Sequence, residues 1–196
     1  MAREVDDVVR QTLRDLKQLL KRRSAPYAVI GGIAVAIRGE PRFTADIDAV
    51  VGIDIAAAVQ LARALRNSAF LPLFPDIEEV VKTACILPMR HRKTRIQVDL
   101  VVGLTGFEQQ AIQRAEDVRF GRLSLRVITA EDLLLMKVLA GRPRDLDDTE
   151  RIVAKQGKRL DWSYVFETAK QLEEVVAQDL VGPLEALQRK VEEDLE

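Results

Sequence analysis

The sequence predicts an α+β fold, with a layer of strands and helices followed by a helical subdomain. Two observations carry this. Between residues 27 and 128, short apolar or alternating runs of strand length recur among helical segments. From residue 129 onward, apolar residues recur only at helical spacing. Strands and helices first, then helices alone, is the order of an α+β chain. The expected organisation is residues 1–128 as one domain with an N-terminal helix, and residues 129–196 as a helical subdomain packed on it.

Each element follows from a local pattern. Arg3 to Arg23 reads as an amphipathic helix, with Val5, Val8, Val9, Leu13, Leu16, Leu19 and Leu20 at helical spacing. Ser24-Ala25-Pro26 ends it, because proline lacks an amide hydrogen and disfavours helix in the residue before it. Tyr27 to Ile30 is a short apolar strand, and Gly31-Gly32 follows at once. Ile33 to Arg38 reads as a helix closed by Gly39. Phe43 to Val51 alternates as a strand does, and Asp54 is placed to cap a helix through Ala57, Leu61 and Leu65. Pro72 and Pro75 mark a loop, with a helical turn or more over Ile77 to Lys82. Thr83 to Leu87 and Arg95 to Val102 read as strands, with a basic hairpin tip, Arg90 to Arg95, between them. Thr105 to Ala115 reads as a helix, and Val118–Phe120 with Leu123–Ile128 as a hairpin about Gly121. Helices are then expected from Thr129 or Ala130, over Asp145 to Gln156, from near Asp161 and from near Gly182-Pro183.

The chain of 196 residues is long enough to bury a core without a disulfide or a structural metal. Lys and Arg number 30 against 31 Asp and Glu, so any surface for nucleic acid has to be local. The one cysteine, Cys85, cannot form an intrachain disulfide, and its apolar neighbours make it a buried small hydrophobe. Residues 1–10 are charged where a signal peptide would be apolar, and no apolar run approaches the ~20 residues that cross a bilayer. The cytoplasm is the expected location, with no membrane partner.

The chemistry is concentrated in Thr44-Ala45-Asp46-Ile47-Asp48. On a strand, residues two apart share a face, so Asp46 and Asp48 project together while Ile47 and Ala49 face the core. Two carboxylates on one face repel unless a cation lies between them, and hard oxygen ligands suit magnesium. A third acid, Asp99, stands in the apolar second half of the strand ending at Val102, where a charge is costly unless paired or bound to metal. Three such acids can hold two metal ions roughly 4 Å apart, as in enzymes that displace at phosphorus. Upstream, Gly31-Gly32 ends a strand and opens a helix. Bare backbone and unpaired amides at that point favour a phosphate.

Gly31-Gly32, a short helix and then Arg42-x-Thr44-x-Asp46-x-Asp48 together resemble the signature of the polymerase-beta-type nucleotidyltransferase superfamily. The resemblance is strongest to its minimal, abortive-infection (AbiEii-like) branch of toxin–antitoxin and defence systems. It extends through Asp132-Leu133-Leu134-Leu135-Met136-Lys137 and Arg144-Asp145-Leu146-Asp147-Asp148, about residues 27 to 150 in all. It implies a small mixed sheet flanked by helices. It also implies transfer of a nucleoside monophosphate from a nucleoside triphosphate such as ATP, with release of pyrophosphate. Asp46, Asp48 and Asp99 would be catalytic and would hold two Mg2+ ions, or Mn2+. Gly31, Gly32, Arg42, Thr44 and Lys137 would bind the nucleotide, with Asp145 and Asp148 in support. Many superfamily members carry serine after the first glycine. Gly32 departs from that pattern in a way common in the toxin-like branch.

Several residues also have plainer readings. Lys137 can lie on a solvated helix face, Asp145 can cap its helix, and Asp148 can pair with Arg144 or Arg151. The Arg90–Arg95 tip is either a solvated turn or a guide for a polyanionic acceptor such as RNA. His91 reads as an exposed loop residue, and Trp162 and Tyr164 as packing of the subdomain. The acceptor can be RNA (a tRNA end among others), a protein or a small molecule, and the partner a cognate antitoxin or toxin. The alternative is a binding or antitoxin module that keeps the fold without catalysis.

Overall fold

Seven strands pair edge to edge into one sheet. The computed structural model describes residues 2–40, 44 and 46–193. Its elements are α1 (Ala2–Arg22), β1 (Tyr27–Ile30), α2 (Gly31–Arg38), β2 (Asp46–Val51), α3 (Ile55–Ala64), β3 (Phe70–Pro72), α4 (Ile77–Ala84), β4 (Ile86–His91), β5 (Gln97–Val102), α5 (Gly106–Arg114), β6 (Glu116–Phe120), β7 (Leu123–Val127), α6 (Ala130–Ala140), α7 (Pro143–Gln156), α8 (Trp162–Glu173) and α9 (Val181–Glu193).

The sheet order is β3-β4-β5-β2-β1-β7-β6. β2 runs parallel to β5 and β1 parallel to β7, and the other pairs are antiparallel. This is the expected mixed sheet. On β2, Ile47 and Ala49 are buried while Asp46 and Asp48 are half-buried. β5 repeats the alternation, with Val98, Leu100 and Val102 buried.

The chain divides into two compact units, residues 1–33 with 44–128 and residues 34–43 with 129–196. The first holds the sheet, and its core includes Leu13, Leu16 and Leu20 of α1, Leu61 of α3 and Leu125 of β7. The second is helical, with Leu134, Ile152, Val165 and Leu184 fully buried. Among the described residues no helix is long and apolar enough to cross a membrane.

Caps set the helix boundaries where the sequence marked them. Asp54 accepts from the Ala57 amide at the start of α3, and Thr129 from that of Asp132 at the start of α6. Thr105 and Glu108 close a capping box on α5. Other details differ from expectation. α7 begins at Pro143, not Asp145, because proline at the first helical position gives up no hydrogen bond. Thr83 and Ala84 end α4 instead of opening a strand. Cys85 is the left-handed residue that closes that helix and is half-buried, not a core residue. His91 is not exposed. It ends β4 and is 1% accessible, because its ring packs edge-on against Phe70 and bonds Asp15.

Candidate active site

The parallel pairing of β2 and β5 places Asp48 directly opposite Asp99, and Asp46 opposite Gln97. Opposed residues of neighbouring strands share a face, so the three acids and Gln97 lie together on the half-open side of the sheet. The amide of Gln97 donates to both Asp99 oxygens, at 3.2 and 3.1 Å. Burial pushes the Asp99 carboxyl above its usual range. The Gln97 hydrogen bonds pull it back in part, and the Asp46 charge adds to the rise. Thr44 donates its hydroxyl to Asp46 Oδ1 at 2.7 Å.

The two glycines lean on the same cluster. Ile30, the last residue of β1, is paired with Asp48, so Gly31 meets that carboxylate at the start of α2. Its φ of 61° is left-handed, and a Cβ there would lie 1.9 Å from Asp48 Oδ2. Glycine is therefore required twice over. A Cβ on Gly32 would lie 2.5 Å from Thr44 Oγ1. The departure from serine at this position thus has a local cause: the Thr44 side chain fills the space. Arg42 lies outside the described residues.

The donor chemistry suits a hard divalent cation, since all three acids offer oxygen from one face of the sheet. The side chains are not gathered to a point. Among the described residues no three Asp, Glu, His or Cys groups are set to hold a metal ion.

In the second unit, Lys137 of α6 is buried and bonds Asp145 Oδ1 at 2.7 Å and Asp148 Oδ2 at 2.9 Å, both on α7. Arg142 also bonds Asp145. The structure therefore brings together the lysine and the two acids that the sequence grouped, and it removes the solvated reading of Lys137. Burial pushes the Asp145 carboxyl up, but the hydrogen bonds from Arg142 and Lys137 outweigh it and hold the group below its usual range.

The profile of a family described as nucleotidyltransferase of unknown function (DUF6036) matches residues 8–180. The chain belongs to this family. No curated protein matches it in sequence. Among solved structures, this nucleotidyltransferase is similar to an antigenic nucleotidyltransferase-like protein from Paracoccidioides brasiliensis, with TM-score 0.53 and 19% identity over 92% of this chain and 93% of the other. It is also similar to ANT(2″)-Ia in complex with adenylyl-2″-tobramycin, with TM-score 0.52 and 12% identity over 95% and 98% of the two chains. At such identities the likeness establishes the nucleotidyltransferase fold.

One residue of the face escaped the sequence reading of this nucleotidyltransferase. Gln97 carries no charge and drew no notice, yet it stands two positions before Asp99. The alternation that paired Asp46 with Asp48 would have placed it on the same face.

Proposed function

We propose that the chain moves a nucleoside monophosphate from a nucleoside triphosphate to an acceptor, with Asp46, Asp48 and Asp99 as the catalytic carboxylates. The observation that carries this is the β2–β5 register, which sets Asp48 beside Asp99 with Asp46 on the same face, next to the glycines that open α2. The acceptor oxygen attacks the α-phosphorus, the bond to the bridging oxygen breaks, and pyrophosphate leaves. Magnesium (two ions), or manganese, held by the three acids would neutralise charge on the attacking and leaving oxygens. Gly31 and Gly32 let backbone amides approach the phosphates. Arg42 is assigned to the same phosphates by its place in the motif. Thr44 orients the Asp46 carboxylate, and Gln97 orients that of Asp99. Asp99, which would complete the metal that activates the acceptor, is the carboxylate assigned to take the acceptor's proton. Lys137 is assigned to the phosphates by its place in the motif, as Arg42 is, and Asp145 and Asp148, which hold its ammonium, are assigned to its support.

ATP is the first nucleotide to try, since the similar ANT(2″)-Ia was crystallised with an adenylyl product. A role in cytoplasmic toxin–antitoxin or phage defence, with a cognate protein partner, follows from the AbiEii-like motif.

The test is incubation with magnesium, each labelled ribonucleoside triphosphate in turn, and total cellular RNA and protein. Label should enter one acceptor class with the wild type and be absent with Asp46→Ala/Asp48→Ala. If no nucleotide is transferred and none binds, the chain is a contact-only module and the catalytic reading fails.

A further inference from the structure

Four cationic side chains fall within six residues at the β4–β5 connection: Arg90, Arg92, Lys93 and Arg95. In a chain of net charge −1 this is a local concentration. Among the described residues, Arg90, Lys93 and Arg95 have no carboxylate within ion-pair distance.

The sheet decides where these charges lie. Arg90 is opposite Gln97, and Gln97 is opposite Asp46. Arg90 therefore belongs to the carboxylate face, two strands from β2, roughly 10 Å away at about 4.8 Å per strand. Residues 92–95 form the turn that leads into Gln97, so they stand at the end of β5 where the face with Asp46 begins.

The turn is built into the fold. His91 Nδ1 accepts the Thr94 amide hydrogen at 3.0 Å, which leaves Nε2 to donate to Asp15 on α1 at 2.9 Å. The Thr94 hydroxyl meets that of buried Thr12, also on α1, at 2.6 Å. Arg92 donates to the carbonyl oxygens of Ser68 and Arg66. Arg95 is held at φ 65°. The hydrogen-bonded turn thus presents exposed Arg92, Lys93 and Arg95 beside half-buried Arg90, and no apolar side chain stands among residues 92–95 to anchor a protein partner.

We propose that Arg90, Lys93 and Arg95, on the turn held by Arg92 and His91, dock the phosphodiester backbone of a single-stranded nucleic acid. This deepens the transferase reading by naming the acceptor class, and the docking surface can be tested without it. Guanidinium groups match phosphate oxygens in pairs, and a row of cations leading to the carboxylate face suits a chain of evenly repeated charge.

The experiment is fluorescence anisotropy of the full chain with a short labelled RNA, the DNA of the same sequence, and labelled polyglutamate, over a range of salt. Each phosphate contact to a single strand contributes about 0.7 to the slope of log K against log salt. Arg90→Gln/Lys93→Ala/Arg95→Asn should lower that slope by about 2 and weaken binding at least tenfold. Lys93→Ala alone, at an exposed side chain, should lower it by about 0.7 without any effect on folding. Lys158→Ala/Arg159→Ala in the second unit should keep the wild-type slope. Asp46→Ala/Asp48→Ala should still bind, so loss of transfer and loss of docking are separate results. The RNA and DNA arms identify which strand is preferred. The proposal is overturned if the wild type binds neither strand, if polyglutamate binds as well, or if the triple and single variants keep the full slope.

Discussion

Gly31 shows how one residue ties backbone to chemistry. Its left-handed φ and its approach to Asp48 both forbid a side chain. Gly31→Ala should cost roughly 1–2 kcal/mol from the backbone alone. It should also push the Asp48 carboxylate off the face, so nucleotidyl transfer should fall further than stability does. A urea melt beside the transfer assay separates the two. If activity falls only in proportion to folded protein, Asp48 needs no such placement. Gly32 and Thr44 form a similar pair, in which a serine at 32 fits only if Thr44 is trimmed. Period-two reading was enough to put Asp46 and Asp48 on one face. It could not reveal these glycine contacts, because they join positions 12 and 17 residues apart whose proximity is set by β1–β2 pairing.

At the level of elements, α6 and α7 are joined by a buried charge network. Lys137→Met would leave Asp145 and Asp148 buried without that cation and should destabilise by about 3–5 kcal/mol. The network also predicts a pH dependence. The Asp145 carboxyl is held below its usual range in the folded chain, so its contribution is present above the unfolded value of about 3.9 and is lost as pH falls through the folded one. Asp145→Asn should therefore cost most near neutrality, and the deficit should shrink below about pH 4. Equal deficits at pH 7 and pH 3 would show that the ion pairs contribute nothing. Local signals marked most of these elements: Asp54, Thr105, Thr129 and Asp161 each accept a first-turn amide, as such residues do. The sequence could not show that Lys137 is buried. A lysine among leucines reads equally as an exposed stripe until the partner helix supplies its acids. His91 misled for a like reason, since its acid partner lies 76 residues away on α1.

At the level of the whole molecule, the order of strands and helices along the chain was enough to give the class. The strand order was not legible, because which strands pair is decided by contacts between distant segments. A ligand that binds only the folded chain should raise its melting temperature. Magnesium with ATP at a hundred times its dissociation constant adds about 2.7 kcal/mol, or roughly 5–10 °C for a chain this size. The same addition to Asp46→Ala/Asp48→Ala should give a far smaller rise. An equal rise in both would place the nucleotide elsewhere.

The two outer strands of the sheet also govern what happens when many copies of the chain meet. β3 is three residues long and ends on Pro72, which has no amide hydrogen to offer. β6 begins Glu116-Asp117 and keeps Arg119 exposed. A newcomer's strand finds no long, uncharged row of donors and acceptors at either border. Crowding therefore presses the folded copies together without giving their backbones a seam along which to join, and the sheet stays closed to growth.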